Sequence, residues 1–172
     1  ASPPKEGAVL VLLYPMDGQL FFPLTRRTEH VAHHKGQISL PGGARDHGDG
    51  SFWQVAVRET EEELAVEGGM ITCLHALTPL YIPPSNFDIH PFVGYVPSRP
   101  PFRANPEEVA ELIEMPLDAL LDPAAKQEET WSTRGRFVRA PCYRYRSHQI
   151  WGATAMVLSE LEALLSQEPA SA

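Results

Sequence analysis

Arg-Glu-Thr-Glu-Glu-Glu-Leu, residues 58–64, is the most informative segment of this chain of 172 residues. On a helix, Glu59, Glu62 and Glu63 stand at positions i, i+3 and i+4 and therefore share one face. Apolar side chains, among them Trp53 and Leu64, fall on roughly the opposite face, where a protein core would lie. The segment therefore predicts a helix over residues 52–64 with one acidic face and one core face.

The acidic face of this predicted helix needs compensation, because like charges at this spacing destabilise a helix. Clustered carboxylates suit a hard cation such as Mg²⁺ or Mn²⁺, which prefers oxygen ligands. A solvated acidic face explains the same residues. The loop upstream favours the cation, because it is rich in Gly between Leu40 and Gly50 and such loops allow a ligand to approach the backbone closely. Asp49 or Ser51 is predicted to cap the helix.

Proline positions locate the other elements, because Pro breaks helix interiors. Eight of the 17 prolines lie between residues 79 and 106, whereas none lies in 42–78 or 142–168. Long helices are therefore predicted only in those two windows, at 52–64 and 150–165. Strands are predicted at 8–13, 19–24, 37–40, 70–80, 90–96, 109–113 and within 137–146, with a short helix at 116–121. This order predicts one layered α/β or α+β domain over residues 1–172, with tails at 1–6 and 167–172.

Composition excludes several classes of function. The formal net charge of −8 argues against a general nucleic-acid binder, which needs an excess of Lys and Arg. No apolar run approaches the roughly 20 residues of a membrane-spanning helix, so no membrane partner is expected. Cys73 and Cys142 are isolated, which gives no support for a disulfide framework or a Cys-based zinc site. We therefore expect a cytoplasmic protein.

Residues 43–66 resemble the signature of the Nudix hydrolases, G-x5-E-x7-R-E-U-x-E-E-x-G-U, where U is aliphatic. Gly43 and the Arg58-Glu59…Glu62-Glu63 core fit it. Asp49 replaces the first Glu one residue further from Arg58, Thr60 replaces an aliphatic residue and Ala65 replaces Gly. The resemblance implies an α/β fold, the Nudix-type α/β/α sandwich with a mixed central β-sheet. It also implies that Glu59, Glu62 and Glu63 bind Mg²⁺ or Mn²⁺ and that Arg58 orients the carboxylates.

Residues 24–43 are similar to an additional motif of the coenzyme A diphosphatase branch of that family. The matching positions are Leu24, Thr25, Arg27, His34, Gly36 and Pro41 to Gly43, whereas Ala32 and Leu40 depart from the motif. The segment is also locally cationic, and Arg in particular suits phosphate. The predicted substrate-binding residues are Arg26, Arg27, His34, Lys35, Gly36, Gly42 and Gly43, together with Asn86 and Phe87 from a later loop.

The resemblance implies metal-dependent hydrolysis of a CoA-like nucleoside diphosphate derivative, with Arg27 and then Arg26 as candidates to bind the 3′-phosphate. Glu62, Glu63 or Glu108 is the candidate general base, so Glu108 joins Arg58, Glu59, Glu62 and Glu63 among the predicted catalytic residues. Alternatives are a Nudix enzyme acting on ADP-ribose or another nucleoside diphosphate derivative, and a catalytically silent nucleotide-binding domain. A homodimer is expected only from the resemblance.

Overall fold

A central mixed sheet, with a helix packed on each face, is the main feature of the computed structural model, which describes residues 2–29, 36–133 and 135–167. The described strands are β1 Lys5–Met16, β2 Gln19–Arg27, β3 Ile38–Ser39, β4 Gly42–Ala44, β5 Thr72–Ala76, β6 Leu80–Ile82, β7 Phe87–Tyr95, β8 Val109–Pro116, β9 Lys126–Thr133, β10 Arg136–Tyr145 and β11 His148–Ile150. The described helices are α1 Phe52–Leu64, α2 Leu117–Leu121 and α3 Gly152–Leu165, with a short 3-10 helix at Gly68–Met70.

The central strand, β1, sets the topology. It pairs in parallel with β7 and antiparallel with β2 and β4. β8 extends the sheet beyond β2, and β5 and β6 both pair with β7. A separate three-stranded sheet has the order β11–β10–β9. The central sheet is therefore mixed, as the family resemblance implied.

Alternation along β1 explains the layers. Leu10 and Leu12 are buried in one apolar cluster with Val55 of α1. Val11 is buried in a second cluster with Leu158 of α3. Since successive side chains of a strand point to opposite faces, α1 and α3 cover opposite faces of the sheet. The predicted α/β/α sandwich is confirmed.

The helices agree with the sequence, but the strands differ in part. Helix α1 has the predicted bounds, and α3 begins two residues after its predicted start. The predicted strand 70–80 is in fact two strands, β5 and β6. The segment between them leaves the sheet and contacts α3, because the backbone N–H of Thr78 donates to the carboxylate of Glu160. The strand β9 was not predicted at all, since its mostly exposed polar sequence carries no apolar alternation.

At the amino terminus, β1 begins at Lys5, so residues 5 and 6 of the predicted tail pair with β7. Their exposure explains why apolar patterning did not include them. None of the helices in the described ranges has the length and apolar character needed to cross a membrane.

Both ends of α1 are capped. Ser51 is the N-cap, and its hydroxyl accepts a hydrogen bond of 3.2 Å from the backbone N–H of Gln54. At the other end Ala65 adopts left-handed backbone angles, φ 58° and ψ 32°, and its N–H donates to the carbonyl of Glu61. This conformation normally favours Gly, the residue that the signature has at this position. Ala65 therefore carries backbone strain that the signature avoids.

Replacing Ala65 with Gly should relieve this strain. We expect Ala65→Gly to raise the free energy of unfolding by about 1 kcal/mol, because an L-residue pays roughly 1–2 kcal/mol in the left-handed region. Urea denaturation measures the change. The control is Ala163→Gly on the exposed side of α3, which should lower the free energy of unfolding by roughly 0.5–1 kcal/mol. Equal losses in both variants would contradict the interpretation.

Candidate active site

Three carboxylates meet at one end of the sheet. One oxygen atom each from Glu59, Glu63 and Glu108 lies within 4.8 Å of the others. The first two come from adjacent turns of α1, and Glu108 comes from the loop that precedes β8. The structure therefore joins two of the predicted metal ligands to the acid that the sequence analysis placed among the candidate bases.

The loop before β8 reaches the cluster because it binds the end of α1. The backbone N–H of Asn105 donates to the carbonyl of Glu63 at 2.8 Å, and that of Arg103 donates to the carbonyl of Leu64 at 3.0 Å. These bonds satisfy helix-terminal carbonyls that have no partner within the helix. The carbonyl of Glu108 accepts a bond of 3.1 Å from the N–H of Thr28. Glu108 is thus fixed between α1 and the end of β2.

Burial makes this cluster electrostatically unfavourable. Glu63 is only 3% exposed. Burial, and then the charge of Glu59, raise the pKa of Glu63 to about 8. Burial, followed by the charge of Glu62, also raises the pKa of Glu59. A solvated acidic face, the alternative interpretation of the sequence, does not describe these two residues.

Gly42 and Gly43 form the floor beneath the carboxylates. The backbone N–H of Gly42 donates to the carboxylate of Glu63. A Cβ atom on Gly43 would lie 2.5 Å from the carboxyl carbon of Glu59. A Cβ on Gly42 would meet the carbonyl oxygen of Ala8 on β1 at 2.3 Å. Both glycines are therefore needed for close packing between β4, β1 and α1.

Arg58 organises the outer side of the cluster. Its Nε and Nη2 bind the carboxylate of Asp49 at 3.0 and 2.9 Å, and its Nη2 also donates to the carbonyl of Ala44 at 3.0 Å. Its Nη1 donates to Glu59 at 3.0 Å and to Glu62 at 3.2 Å. Hydrogen bonds from Arg58, and then from the N–H of Asp46, lower the pKa of Asp49. Asp49 therefore holds Arg58, and Arg58 holds Glu59.

Glu62 occupies a different position from the other predicted ligands. Its side chain is 50% exposed and is paired with Arg58. It is not among the three carboxylates that meet within 4.8 Å. A helical turn has 3.6 residues, so the residues at i+3 and i+4 lie on either side of residue i. Glu63, at i+4 from Glu59, is on the side of Glu108, whereas Glu62, at i+3, lies at the more exposed edge of the helix face.

The two predicted phosphate-binding arginines lie on opposite faces of the sheet. Arg27 is an even number of residues from Phe21 in β2 and therefore lies on the same face of the sheet, the one covered by α1. Its positive charge lowers the pKa of Glu63, although burial and the charge of Glu59 have larger effects and raise that pKa. Arg26 binds Glu111 at 3.2 Å, and its partner across the ladder, Ile38, packs against the cluster that contains α3. The structure brings Arg27 to the carboxylates and does not bring Arg26 there.

The remaining predicted substrate residues have separate locations. Gly36 has a φ of 67° and donates its N–H to the carbonyl of Arg27 at 3.1 Å, so it closes the loop beside that residue. Asn86 has a φ of 51° and its carboxamide binds the backbone of Ser2 and Pro3. Phe87 shares the strand face of Val93, which belongs to the cluster with α3. Neither residue is brought to the carboxylates. His34 and Lys35 lie outside the described residues.

The carboxylate cluster fits a hard divalent cation. Its donors are carboxylate oxygens, and they converge from two elements in a largely buried position. A bound cation would compensate the repulsion that raises their pKa values. Glu59, Glu63 and Glu108 could therefore hold Mg²⁺ or Mn²⁺. Sequence spacing found the two residues on α1, but only the loop contacts of Asn105 explain why Glu108 reaches them.

Comparison with known proteins agrees with the fold and the motif. The NUDIX domain family matches residues 4–139. Proteins described as uncharacterized Nudix hydrolase NudL from Yersinia pestis (strain Pestoides F) and Yersinia pseudotuberculosis serotype O:1b are 37% identical over 143 residues. Each match covers 83% of this chain and 71% of the relative.

Solved structures share the fold at lower identity. A Nudix hydrolase from M. smegmatis, RenU, has a TM-score of 0.66 and 18% identity, covering 100% of this chain and 92% of its own. The NUDIX domain of Shewanella oneidensis NrtR, complexed with ADP ribose, has a TM-score of 0.54 and 23% identity, with coverages of 70% and 78%. A C. elegans Ap4A hydrolase has a TM-score of 0.56 and 19% identity, with coverages of 65% and 80%.

Removing one buried carboxylate should separate cation binding from folding. We expect Mn²⁺ to raise the melting temperature of the unmodified protein, because a ligand that binds only the folded state stabilises it. In Glu63→Gln this rise should fall by at least half, while the melting temperature without metal should stay equal or increase, since repulsion is relieved. Thermal denaturation with and without EDTA measures both values.

The matched control is Glu67→Gln, which removes the same charge from an exposed position outside the cluster. It should retain the full Mn²⁺ response. If Glu63→Gln responded to Mn²⁺ like the control, the cluster would not be the cation site.

Proposed function

The chain belongs to the Nudix family, and from this premise we propose that it hydrolyses the diphosphate of coenzyme A or its derivatives with the help of a divalent cation. The products would be 4′-phosphopantetheine and adenosine 3′,5′-bisphosphate. The observation that carries the proposal is the convergence of Glu59, Glu63 and Glu108 on the sheet face that also holds Arg27. The residues similar to the coenzyme A diphosphatase motif, 24–43, supply the choice of substrate.

The metal and the protein have separate tasks in this proposal. Mg²⁺ or Mn²⁺ would neutralise charge on the phosphates and lower the pKa of a water molecule bound to it. Of the three clustered carboxylates, Glu59 and Glu63 would hold the cation, which leaves Glu108 to take a proton, and Glu62 is half-exposed beside them. Arg58 keeps the carboxylate of Glu59 in place, because its own guanidinium is fixed by Asp49. The chain's residues therefore supply positioning and charge rather than a covalent intermediate.

We assign the general base to Glu108. Glu59 and Glu62 are both bound to Arg58, and Glu63 is almost completely buried. Glu108 is half-buried, lies on the loop before β8 rather than on the helix, and has no hydrogen bond to Arg58 among the contacts of the described residues. It would accept the proton of the attacking water while the bridging phosphorus–oxygen bond breaks.

Substrate recognition depends on Arg27 in this proposal. A guanidinium group binds phosphate oxygens in a planar, two-pronged geometry. The N–H of Gly36 donates to the carbonyl of Arg27 and so fixes the backbone of this residue beside the cluster. We retain a cytoplasmic location in the proposal because Cys73 and Cys142 are both free thiols, which suits a reducing compartment.

ADP-ribose is a second candidate substrate. The position of Arg26 favours it, because this guanidinium is paired with Glu111 on the other face and is not directed to an additional 3′-phosphate at the cluster. The structurally similar NrtR domain was solved with ADP ribose. A silent nucleotide-binding domain is less well supported, because Arg58, Glu59, Glu62 and Glu63 are all present.

A substrate panel tests the proposal directly. Coenzyme A, dephospho-coenzyme A, ADP-ribose and NADH are compared with Mg²⁺ and with Mn²⁺, and products are identified by mass spectrometry. We expect coenzyme A to have the highest kcat/KM, about tenfold above its dephospho form, because one charge-assisted contact is lost. A preference for ADP-ribose would favour the second candidate, and no turnover of any compound would favour a silent domain.

The two arginines provide a matched pair for the same assay. Arg27→Ala should lower kcat/KM for coenzyme A by about 10- to 100-fold, the effect of losing a hydrogen bond to a charged group. Arg26→Ala removes an equal charge from the opposite face and should change kcat/KM by less than about threefold. Similar losses in both variants would show that the sheet face does not determine the role of these residues.

A further inference from the structure

Two residues hold the backbone that carries Glu108. The hydroxyl of Thr28 donates to the carbonyl of Glu107 at 2.8 Å, and the backbone N–H of Thr28 donates to the carbonyl of Glu108 at 3.1 Å. On the other side, the carboxamide oxygen of Asn105 accepts a bond of 3.1 Å from the N–H of Glu107. The carbonyl of Asn105 accepts another of 3.1 Å from the N–H of Glu108. Thr28 and Asn105 together satisfy all four polar backbone groups of residues 107 and 108.

Both of these residues are anchored to other parts of the candidate active site. Thr28 directly follows Arg27, the predicted phosphate-binding residue that ends β2. The backbone N–H of Asn105 donates to the carbonyl of Glu63 at 2.8 Å. The position of Glu108 is therefore set relative to the strand of Arg27 and to the helix of Glu63.

The carboxylate of Glu108 needs this support because its neighbours repel it. One oxygen atom of Glu108 lies within 4.8 Å of an oxygen of Glu59 and of Glu63. Like charges this close disfavour each other, and the loop could relieve the repulsion by moving away from the helix. A general base must stay within hydrogen-bond reach of its proton, and a misplacement of about 1 Å can lower a rate about 100-fold. Bonds that fix residues 107 and 108 therefore bear directly on catalysis.

The hydroxyl of Thr28 is the side-chain group best suited to this task. Thr28 is 7% exposed, so water competes little for its bond to Glu107. The corresponding bond of the Asn105 carboxamide is exposed and is therefore weaker in its net effect. The branched side chain of Thr also restricts rotation about χ1, which keeps the hydroxyl directed at its acceptor.

We propose that Thr28 is a positioning residue, whose hydroxyl holds the backbone of Glu107 and Glu108 so that the carboxylate of Glu108 reaches the attacking water. This inference rests on the proposed function, because it requires Glu108 to act as the general base. Thr28 touches neither the substrate nor the cation in this role. Loss of its hydroxyl should therefore slow the chemical step without weakening the binding of either.

The test separates kcat from KM in a variant that keeps the shape of the side chain. Thr28→Val should lower kcat about 10- to 100-fold on the compound of the substrate panel that the wild-type protein cleaves best, with KM changed by less than about threefold. Thr28→Ser retains the hydroxyl and should keep kcat within about threefold of the wild type. If Thr28→Val does not fold, Thr28→Ala replaces it, with the same expected loss.

The matched control is Thr60→Val, which removes a buried hydroxyl that donates to the carbonyl of Ala56 at 2.8 Å. It should lower the melting temperature about as much as Thr28→Val, because each variant loses one paired hydroxyl, and it should keep kcat within about threefold. Equal losses of kcat in the two variants would show that Thr28 contributes only to stability and would overturn the inference.

A double-mutant cycle tests whether Thr28 acts through Glu108. Glu108→Gln should lower kcat by about 100-fold or more, the usual contribution of a general base. Adding Thr28→Val to this variant should lower kcat further by less than about threefold, because the group that Thr28 positions is already absent. A further loss as large as that of Thr28→Val alone would mean that Thr28 acts by another route, and the inference would be wrong.

The outcomes separate this inference from the proposed function. If the wild-type protein cleaves ADP-ribose and not coenzyme A, the proposed substrate is wrong, and a non-additive cycle measured on ADP-ribose still supports the role of Thr28. Unchanged kcat in Thr28→Val, with a slow Glu108→Gln, overturns the inference alone. If Glu108→Gln keeps the kcat of the wild type, the assigned base is wrong and the inference is overturned with it. A wild type that cleaves no compound of the panel overturns both.

Discussion

The close approach of Glu59, Glu63 and Glu108 is the constraint on which the rest of this structure depends. Carboxylates within 4.8 Å of one another repel, and burial of Glu63 prevents water from screening that repulsion. Packing must therefore hold the groups together in the absence of a cation. The fold does this by binding the loop before β8 to the last carbonyls of α1, so that the helix and the loop cannot separate without losing hydrogen bonds.

A second network holds the same loop further from the cluster. The buried hydroxyl of Tyr14 donates to Glu114 at 2.7 Å, and Arg99 donates to the same carboxylate at 2.7 Å. Arg99 also lies over the ring of Phe102, which packs edge-on against Tyr14. These contacts join the loop to β1 and β8. The position of Glu108 therefore depends on the core of the sheet as well as on α1.

The sequence predicted the helices and the layers because both follow from local patterns. Proline-free windows and apolar spacing located α1 and α3, and short apolar runs on either side of the Asp17-Gly18 turn located β1 and β2. Patterns of this kind could not predict β9, whose exposed polar residues are ordered by hairpin pairing with β10. They also could not predict that Glu108, rather than Glu62, joins the cluster, because that depends on hydrogen bonds between residues far apart in the chain, such as Asn105 and Glu63.

The same limit explains why Arg26 and Arg27 were grouped. Both residues contribute to a cationic segment, and composition does not distinguish them. In a strand, however, neighbours point to opposite faces, so only one of two adjacent arginines can reach a site on a given face. If residues 19–27 form a strand and the carboxylates lie on one face of the sheet, the sequence alone implies that Arg26 and Arg27 point to different faces.

The contacts that each residue makes explain how the chain tolerates its departures from the family signature. Asp49 is one methylene shorter than Glu, yet the chain has one additional residue before Arg58, and the carboxylate still binds the guanidinium with two hydrogen bonds. The extra residue lies in a turn where Asp49 also accepts a bond from the N–H of Asp46. Thr60 satisfies its hydroxyl within α1 and so fills an apolar position at little cost.

Only Ala65 lacks such compensation, because no contact can remove the clash of a Cβ atom with a left-handed backbone. The charged residue at position 49 thus keeps its contact with Arg58 through a local rearrangement. Position 65 keeps its left-handed backbone angles but lacks the Gly that would adopt them without strain.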